Sequence, residues 1–359
     1  MKKNIDKIVK IRPWGTIVIE DSILCDGKNY YGMDDGKNIA CYTHIHEDHI
    51  GGLEDSLGTS QVYSTDITKI LASALLMQDR EWLKERINFH GLKINETESI
   101  RDFEITFKKA HHILGSGQLL VQKKENTILY SSDFIFEGTH IQKDVNYLIL
   151  DATHGKHSES QDFDDVVEAK KKIIAKTKEI MNDSKKQLNI HASRGTLQLV
   201  MSWLRNEIDE EIPFLANKKE INIAKAYGVY GYRSGIIKDD DIYFKQYLKN
   251  DHPYIRFLTK NAETDCEIIE PVIPSIRVGA SSMTSLENDS RMYIVNLKEH
   301  ATVSEVCEYV KETNPENIIL DNSSRVSNPE NATYLKEILE EKGYSVYLSP
   351  EKHPNLKKL

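Results

Sequence analysis

The sequence predicts a mixed α/β protein, on three observations. Short apolar or alternating runs bounded by turn residues fill the first 155 residues, and beyond Gly155 such runs alternate with helical periodicity. The composition, 39% hydrophobic and 29% charged with 18 Gly and 9 Pro, is globular and excludes disordered, collagen-like and coiled-coil classes. At 359 residues the chain makes one large or two moderate domains.

Taken in order, Thr16 to Glu20, Ser22 to Cys25 and Asn38 to Tyr42 read as short strands separated by turns containing Gly and Asp. A helix is expected at about Ile67 to Met77, followed by the alternating strand Phe103 to Phe107. Gln118 to Lys123 and Thr127 to Ser131 form a pair joined by the polar turn Lys124 to Asn126, and Tyr147 to Leu150 is a further strand. After Gly155, Val166, Val167, Ile173, Ile174 and Ile180 mark a helix, and Leu188 to Ile190 a strand. In the next helix, Leu197, Val200, Met201 and Leu204 fall at i, i+3, i+4 and i+7. The C-terminal stretch repeats the alternation: a helix at Val303, Val306, Cys307 and Val310, the strand Ile318 to Leu320, a helix around Leu335, Ile338 and Leu339, and a strand at Ser345 to Leu348.

The longest nearly apolar stretch, Ile70 to Met77, is far shorter than a membrane span, and the N-terminus has no apolar segment of the signal-peptide kind. A cytoplasmic protein with no membrane partner is expected. Cys25, Cys41, Cys266 and Cys307 are scattered and read as small buried hydrophobes. The net charge of −9 argues against a protein that coats duplex nucleic acid by bulk electrostatics, because that affinity comes from Lys and Arg releasing phosphate counterions.

The chemistry is concentrated directly after the strand ending at Tyr42, in Thr43-His44-Ile45-His46-Glu47-Asp48-His49-Ile50-Gly51-Gly52. Three imidazoles and a carboxylate within six residues at a strand end can point into one volume while the Gly pair lets the backbone turn away. Imidazole nitrogen with carboxylate oxygen suits a zinc-like ion, and a mixed set of this kind can hold two.

This segment resembles the metal loop of the metallo-β-lactamase superfamily, and later motifs follow in that family's order. Asp26, in Leu24-Cys25-Asp26-Gly27, resembles the carboxylate on the preceding strand that supports the ligands. His112, rather than His111, resembles the next ligand because the family has Ile/Val-Leu-Gly directly after it, as in Ile113-Leu114-Gly115. Asp133, in Tyr130-Ser131-Ser132-Asp133-Phe134, is similar to the carboxylate bridging the metals. Three further segments resemble the β-CASP branch, which includes the pre-mRNA 3′-end cleavage enzyme, Artemis-type DNA nucleases and exonucleases associated with DNA ligases. Leu148 to Gly155 is similar to its acidic motif at Asp151, Leu188 to Gln198 to the strand, basic turn and helix that open the inserted domain, and Glu299-His300-Ala301 to its second histidine motif.

The resemblance implies an αββα metallo-β-lactamase sandwich built from residues 1–155 and 288–359, with an α/β β-CASP-like insertion at 156–287. It implies two divalent ions: His44, His46 and His112 on the first, Asp48 and His49 on the second, and Asp133 on both. Zinc suits these donors, with manganese an alternative at the second position. The second ion is expected to be weaker, because counting from His300 to the further histidine of RNA-processing members lands on Asn322, whose neutral carbonyl substitutes poorly for imidazole. Asp48, Asp133, Asp151 and His300 are the implied catalytic set, His300 protonating the leaving oxygen under the guidance of Asp151. Arg194 and Gly195, at a strand-to-helix turn, are candidates for binding a substrate phosphate.

The implied function is a metal-dependent nuclease, an exonuclease on single-stranded or frayed ends, with DNA slightly favoured over RNA. The alternatives are a metallo-hydrolase of small esters, lactones or phosphodiesters, which the acidic composition favours, and a non-catalytic β-CASP scaffold, which retention of all the principal ligands disfavours. Protein partners and oligomeric state are not legible in the sequence.

Overall fold

The computed structural model describes residues 2–27, 38–56, 61–76, 88–155, 162–182, 186–259, 273–279, 292–326 and 328–352. The protein is a mixed α/β fold whose described strands form three sheets. The chain divides into two compact units: residues 1–72, 85–161 and 300–359 in the first, and 73–84 and 162–299 in the second.

The first unit holds two of the sheets. One runs in chain order through Val9–Ile11, Ile17–Ile19, Ile23–Cys25, Ile39–Tyr42, Gln61–Thr65 and Phe89–Leu92, antiparallel up to Cys25 and parallel afterwards. The other has the order Val346–Ser349, Asn317–Asp321, Tyr147–Leu150, Asn126–Tyr130, Gly117–Lys123, Phe103–Lys109, Thr97–Ile100. Its last four strands form an antiparallel meander, and the rest are parallel.

Successive side chains on a strand point to opposite faces, and the second sheet uses both. Phe103, Ile105, Phe107, Leu119, Val121, Ile128, Tyr130, Ile149 and Ile319 share one core with Ile17, Ile19, Ile23, Cys25, Ile39 and Cys41 of the first sheet. The alternate residues Leu120, Leu129, Leu148, Leu150, Ile318 and Leu320 pack against the helices Val303–Thr313 and Pro329–Glu341. A strand buried on both faces reads as a continuous apolar run, as Tyr147–Leu150 and Asn317–Asp321 do. The helix Val303–Thr313 starts at a capping box, with Thr302 and Glu305 each accepting from the other's amide, and ends at Asn314 in the left-handed conformation, φ 52°.

The second unit is built on a parallel sheet in the order Ile237–Asp239, Phe214–Ala216, Tyr254–Thr259, Gln187–Ala192, Ser275–Val278, Met292–Val295. Met292–Val295 lies beyond residue 287, so this sheet runs past the insertion boundary read from the sequence. Leu188, Ile190, Phe257, Ile276 and Val295 form its core with the helices Val166–Met181 and Thr196–Arg205. Cys25 and Cys41 are fully buried and Cys307 is partly buried; Cys266 lies outside the described residues. Among the described residues, no helix is long and apolar enough to cross a membrane.

Candidate metal centre

The site grows from the end of a fully buried strand, Ile39–Tyr42. Thr43 continues it and is held twice by Asp26, its amide donating to Oδ1 at 2.9 Å and its hydroxyl to Oδ2 at 2.7 Å. His44 and His46 follow, and the one-turn helix Glu47–Ile50 then carries Asp48 and His49. Asp26 Oδ2 also lies 2.8 Å from His49 Nδ1, so one buried carboxylate fixes both the strand end and the orientation of a ring. Asp26 sits at φ 51°, and Ser132, directly before Asp133, at φ 57°. Non-glycine residues in the left-handed region cost free energy and concentrate where a site needs a particular side-chain direction.

Four ligand atoms from His44, His46, His112 and Asp133 lie within 4.8 Å of one another. His112 Nε2 is 3.1 Å from His46 Nδ1, and both His44 Nε2 and His112 Nε2 are 3.7 Å from Asp133 Oδ2. Two donors on one tetrahedral zinc-like ion, with bonds of about 2.1 Å, stand roughly 3.4 Å apart, so these spacings fit a shared cation. His44 supplies an independent test: its ring has no exposed surface, and Nε2 is buried with no hydrogen-bond partner. Such an orphan is costly unless a cation takes the lone pair. Burial, reinforced by His49 and His46, pushes the His44 pKa well below its ordinary value and so keeps that lone pair available. The donor set therefore fits a divalent ion.

A second set lies beside it. His49 Nε2 is 3.2 Å from Asp133 Oδ2 and 3.5 Å from Asp48 Oδ2. Burial opposes charge on His49, yet Asp133, Asp48 and Asp26 outweigh it and raise the imidazole pKa well above its usual value. Burial likewise opposes ionisation of Asp133, but His49 and His300 overcome it and hold the carboxyl well below its ordinary range.

Asp133, Asp151 and His300 also bring ligand atoms within 4.8 Å of one another. His300 Nδ1 is 2.9 Å from Asp151 Oδ2, while Asp151 Oδ1 accepts from the amide and hydroxyl of Thr153 at 2.8 and 2.5 Å. Donation from the Ala301 amide to the Phe134 carbonyl, at 2.6 Å, ties the backbone beside His300 to that beside Asp133. The His300 ring centroid is 5.1 Å from that of His112. A small cleft lies here, lined by residues that include Asp48, His49, Asp133, Asp151, Asp321 and Arg325.

The structure thus gathers Asp26, His44, His46, Asp48, His49, His112, Asp133, Asp151 and His300 within the first unit. Asn322, Arg194 and Gly195 have partners of their own. Asn322 Nδ2 donates to the Pro350 carbonyl at 3.0 Å, while its carbonyl oxygen is buried without a hydrogen-bond partner; its neighbour Asp321 lines the cleft. Arg194 and Gly195 are committed within the second unit. The Gly195 amide donates to Gln198 Oε1 at 2.7 Å, and the Arg194 guanidinium meets the fully buried carboxylate of Glu220 at 3.0 Å.

Sequence reasoning missed Thr43, Thr153, Asp321 and Arg325. Thr153, two residues after Asp151, has a legible signal, since an Asp accepting from the amide two positions on is a common turn. Arg325 has none toward the site, because His49, Tyr130 and Asp26 are remote in the chain.

No family model matches the chain. A 134-residue stretch, 34% of the chain, is 24% identical to the DNA cross-link repair protein pso2/snm1 of Schizosaccharomyces pombe (strain 972 / ATCC 24843), and the match spans 23% of that relative's length. Among solved structures, the crystal structure of a protein of unknown function from Enterococcus faecalis V583 is similar over 96% of this chain and 98% of that one, with a TM-score of 0.58 and 11% identity. The latter shows a shared fold.

Proposed function

We propose that this protein is a metal-dependent nuclease of the β-CASP branch of the metallo-β-lactamase superfamily. In this reading the first unit is the αββα core, with its C-terminal part beginning at His300, and the second, which includes the strand Met292–Val295, is the β-CASP-like insertion. The observation that carries it is the convergence of three imidazoles on Asp133, with the Asp151–His300 pair against that same carboxylate. A non-catalytic scaffold has no use for either arrangement.

His44, His46, His112 and Asp133 would hold one ion, and Asp48, His49 and Asp133 a second; zinc or manganese bound there would supply a nucleophile at neutral pH and neutralise charge on the phosphate. Thr43 and Asp26 hold the His49 ring, so that Nδ1–H donates to Asp26 and Nε2 faces the cleft. His300 gives its proton to the departing sugar oxygen. Asp151 accepts the Nδ1–H, which leaves Nε2–H as the donor, and Thr153 fixes the carboxylate.

The substrate in this reading is single-stranded or frayed-end DNA, degraded from an end. Similarity to a DNA cross-link repair protein supports DNA. A net charge of −9 supports a strand held by few phosphate contacts over a gripped duplex. The test is incubation of zinc- or manganese-loaded protein with end-labelled single- and double-stranded DNA and RNA of matched sequence, at two salt concentrations. Single-stranded DNA should be shortened fastest, with a shallow salt dependence. The acidic composition favours one rival, a small-molecule hydrolase, and turnover of an ester or lactone without cleavage of any nucleic acid would establish it instead.

A further inference from the structure

The cleft is lined by two charged side chains to which the proposed chemistry gives no part, Arg325 and its partner Asp321. Arg325 has only 6% of its side chain exposed. Its Nε donates to Asp321 Oδ2 at 3.0 Å, and Nη2 donates to the same oxygen. Nη1 lies 3.2 Å from the Tyr130 hydroxyl, 3.4 Å from His49 Nδ1 and 3.9 Å from Asp26 Oδ2. The backbone keeps it there. A Cβ on Gly15 would fall 2.6 Å from Arg325 Cδ, so the chain can pass this close only as glycine, and the Ser324 amide donates to the Pro13 carbonyl at 2.9 Å.

This guanidinium stands behind His49, on the side of the ring away from Asp48 and Asp133. It places a permanent positive charge beside the second set of candidate ligands, against the Nδ1 side of the His49 ring. Asp321 anchors the group from the far side, so the guanidinium lies between that carboxylate and the ring. A buried guanidinium cannot give up its proton, so the charge persists at every working pH.

We propose that Arg325 is a positioning residue that acts through His49 and Asp26: a built-in cation that takes the place of tight second-ion binding and leaves the site with one firmly held ion. The proposal rests on the metal-centre reading above. It does not depend on the substrate, because its consequence is read in metal binding alone.

The experiment uses the full chain and titrates zinc, then manganese, into metal-stripped protein by calorimetry, with metal content measured after dialysis. The wild type should retain about one ion and bind another weakly. R325M, which removes the charge, should tighten the second ion by at least tenfold, whereas R325K, which keeps the charge without the planar fork, should stay within about threefold of the wild type. Because R325M leaves Asp321 buried without its partner, the charge-balanced R325M/D321N is measured beside it and should shift in the same direction. The proposal is overturned by second-ion affinity unchanged in R325M and in the double variant. Weakening in all three variants also overturns it, since a structural strut behaves that way. A wild type that binds no metal overturns the metal-centre reading and this proposal together. Metal bound as expected without any nuclease activity would leave this inference standing and remove only the substrate assignment.

Discussion

At the scale of single residues the site is governed by which atoms lack another partner. His44 Nε2 has no hydrogen-bond partner, while Asp151 and Asp26 each have every oxygen engaged. That asymmetry separates groups free to take a cation from groups that orient others. Asp133 faces His44, His49 and His112 at 3.2 to 3.7 Å and belongs to both ligand groups, so Asp133→Ala should abolish both metal retention and hydrolysis. His300→Ala should instead slow hydrolysis of an unactivated phosphodiester by about 10² to 10⁴ while metal content stays at the wild-type level. Metal analysis and single-turnover rates on the same preparations separate the two, and a fully active His300→Ala protein would remove the proton-donor role. The ligand pattern from His44 to His49 was legible because local spacing alone brings those residues into one volume. Thr43 was not, since a threonine after a strand has many ordinary uses and only its two bonds to Asp26 reveal this one.

At the scale of elements, the active groups sit at strand ends, where backbone geometry is most demanding. Gly27 follows Asp26 at φ +90°, and a Cβ there would come within 2.5 Å of the Thr16 amide nitrogen. Both the backbone conformation and the close approach require glycine. Gly27→Ala should therefore destabilise the fold by about 1–3 kcal/mol, with second-ion affinity falling as Asp26 shifts, measurable by urea unfolding and by metal titration. Strands such as Phe103–Lys109 were visible as alternation, with Phe103, Ile105 and Phe107 buried and Glu104 exposed. Val9–Ile11, Gln61–Thr65 and Phe214–Ala216 were not. Strands of three to five residues, most of them buried, carry too little periodicity to be told from a loop or a stretch of helix.

At the scale of the whole molecule, stability depends on polar groups that the sheets bury away from the site. His191, on a central strand of the second unit, pairs in register with Arg277. Burial, then Arg277 and Arg256, lowers its pKa to about 4, and Arg256 is itself held by Asp240 at 2.8 Å. An unfolded histidine titrates near 6.5, so between that pH and about 4 the unfolded chain binds a proton that the native state refuses. This contribution to stability is complete above about pH 6.5 and is lost as the pH falls, amounting to about 2 kcal/mol between pH 7 and pH 5. Urea unfolding at both pH values should show that loss in the wild type and a smaller one in His191→Gln; equal losses would remove His191 as the cause. By itself the sequence determined the α/β class and the cluster His44, His46, Asp48 and His49, because periodicity and close spacing are short-range properties that survive without a fold. The pairing of His300 with Asp151, 149 residues away, was legible only through a family resemblance. The contact of Arg325 with His49, across 276 residues, was decided by the tertiary structure alone. Parallel pairing of Tyr147–Leu150 with Asn317–Asp321 brings those distant strand ends to one edge, and no local pattern encodes which strands a sheet will place side by side.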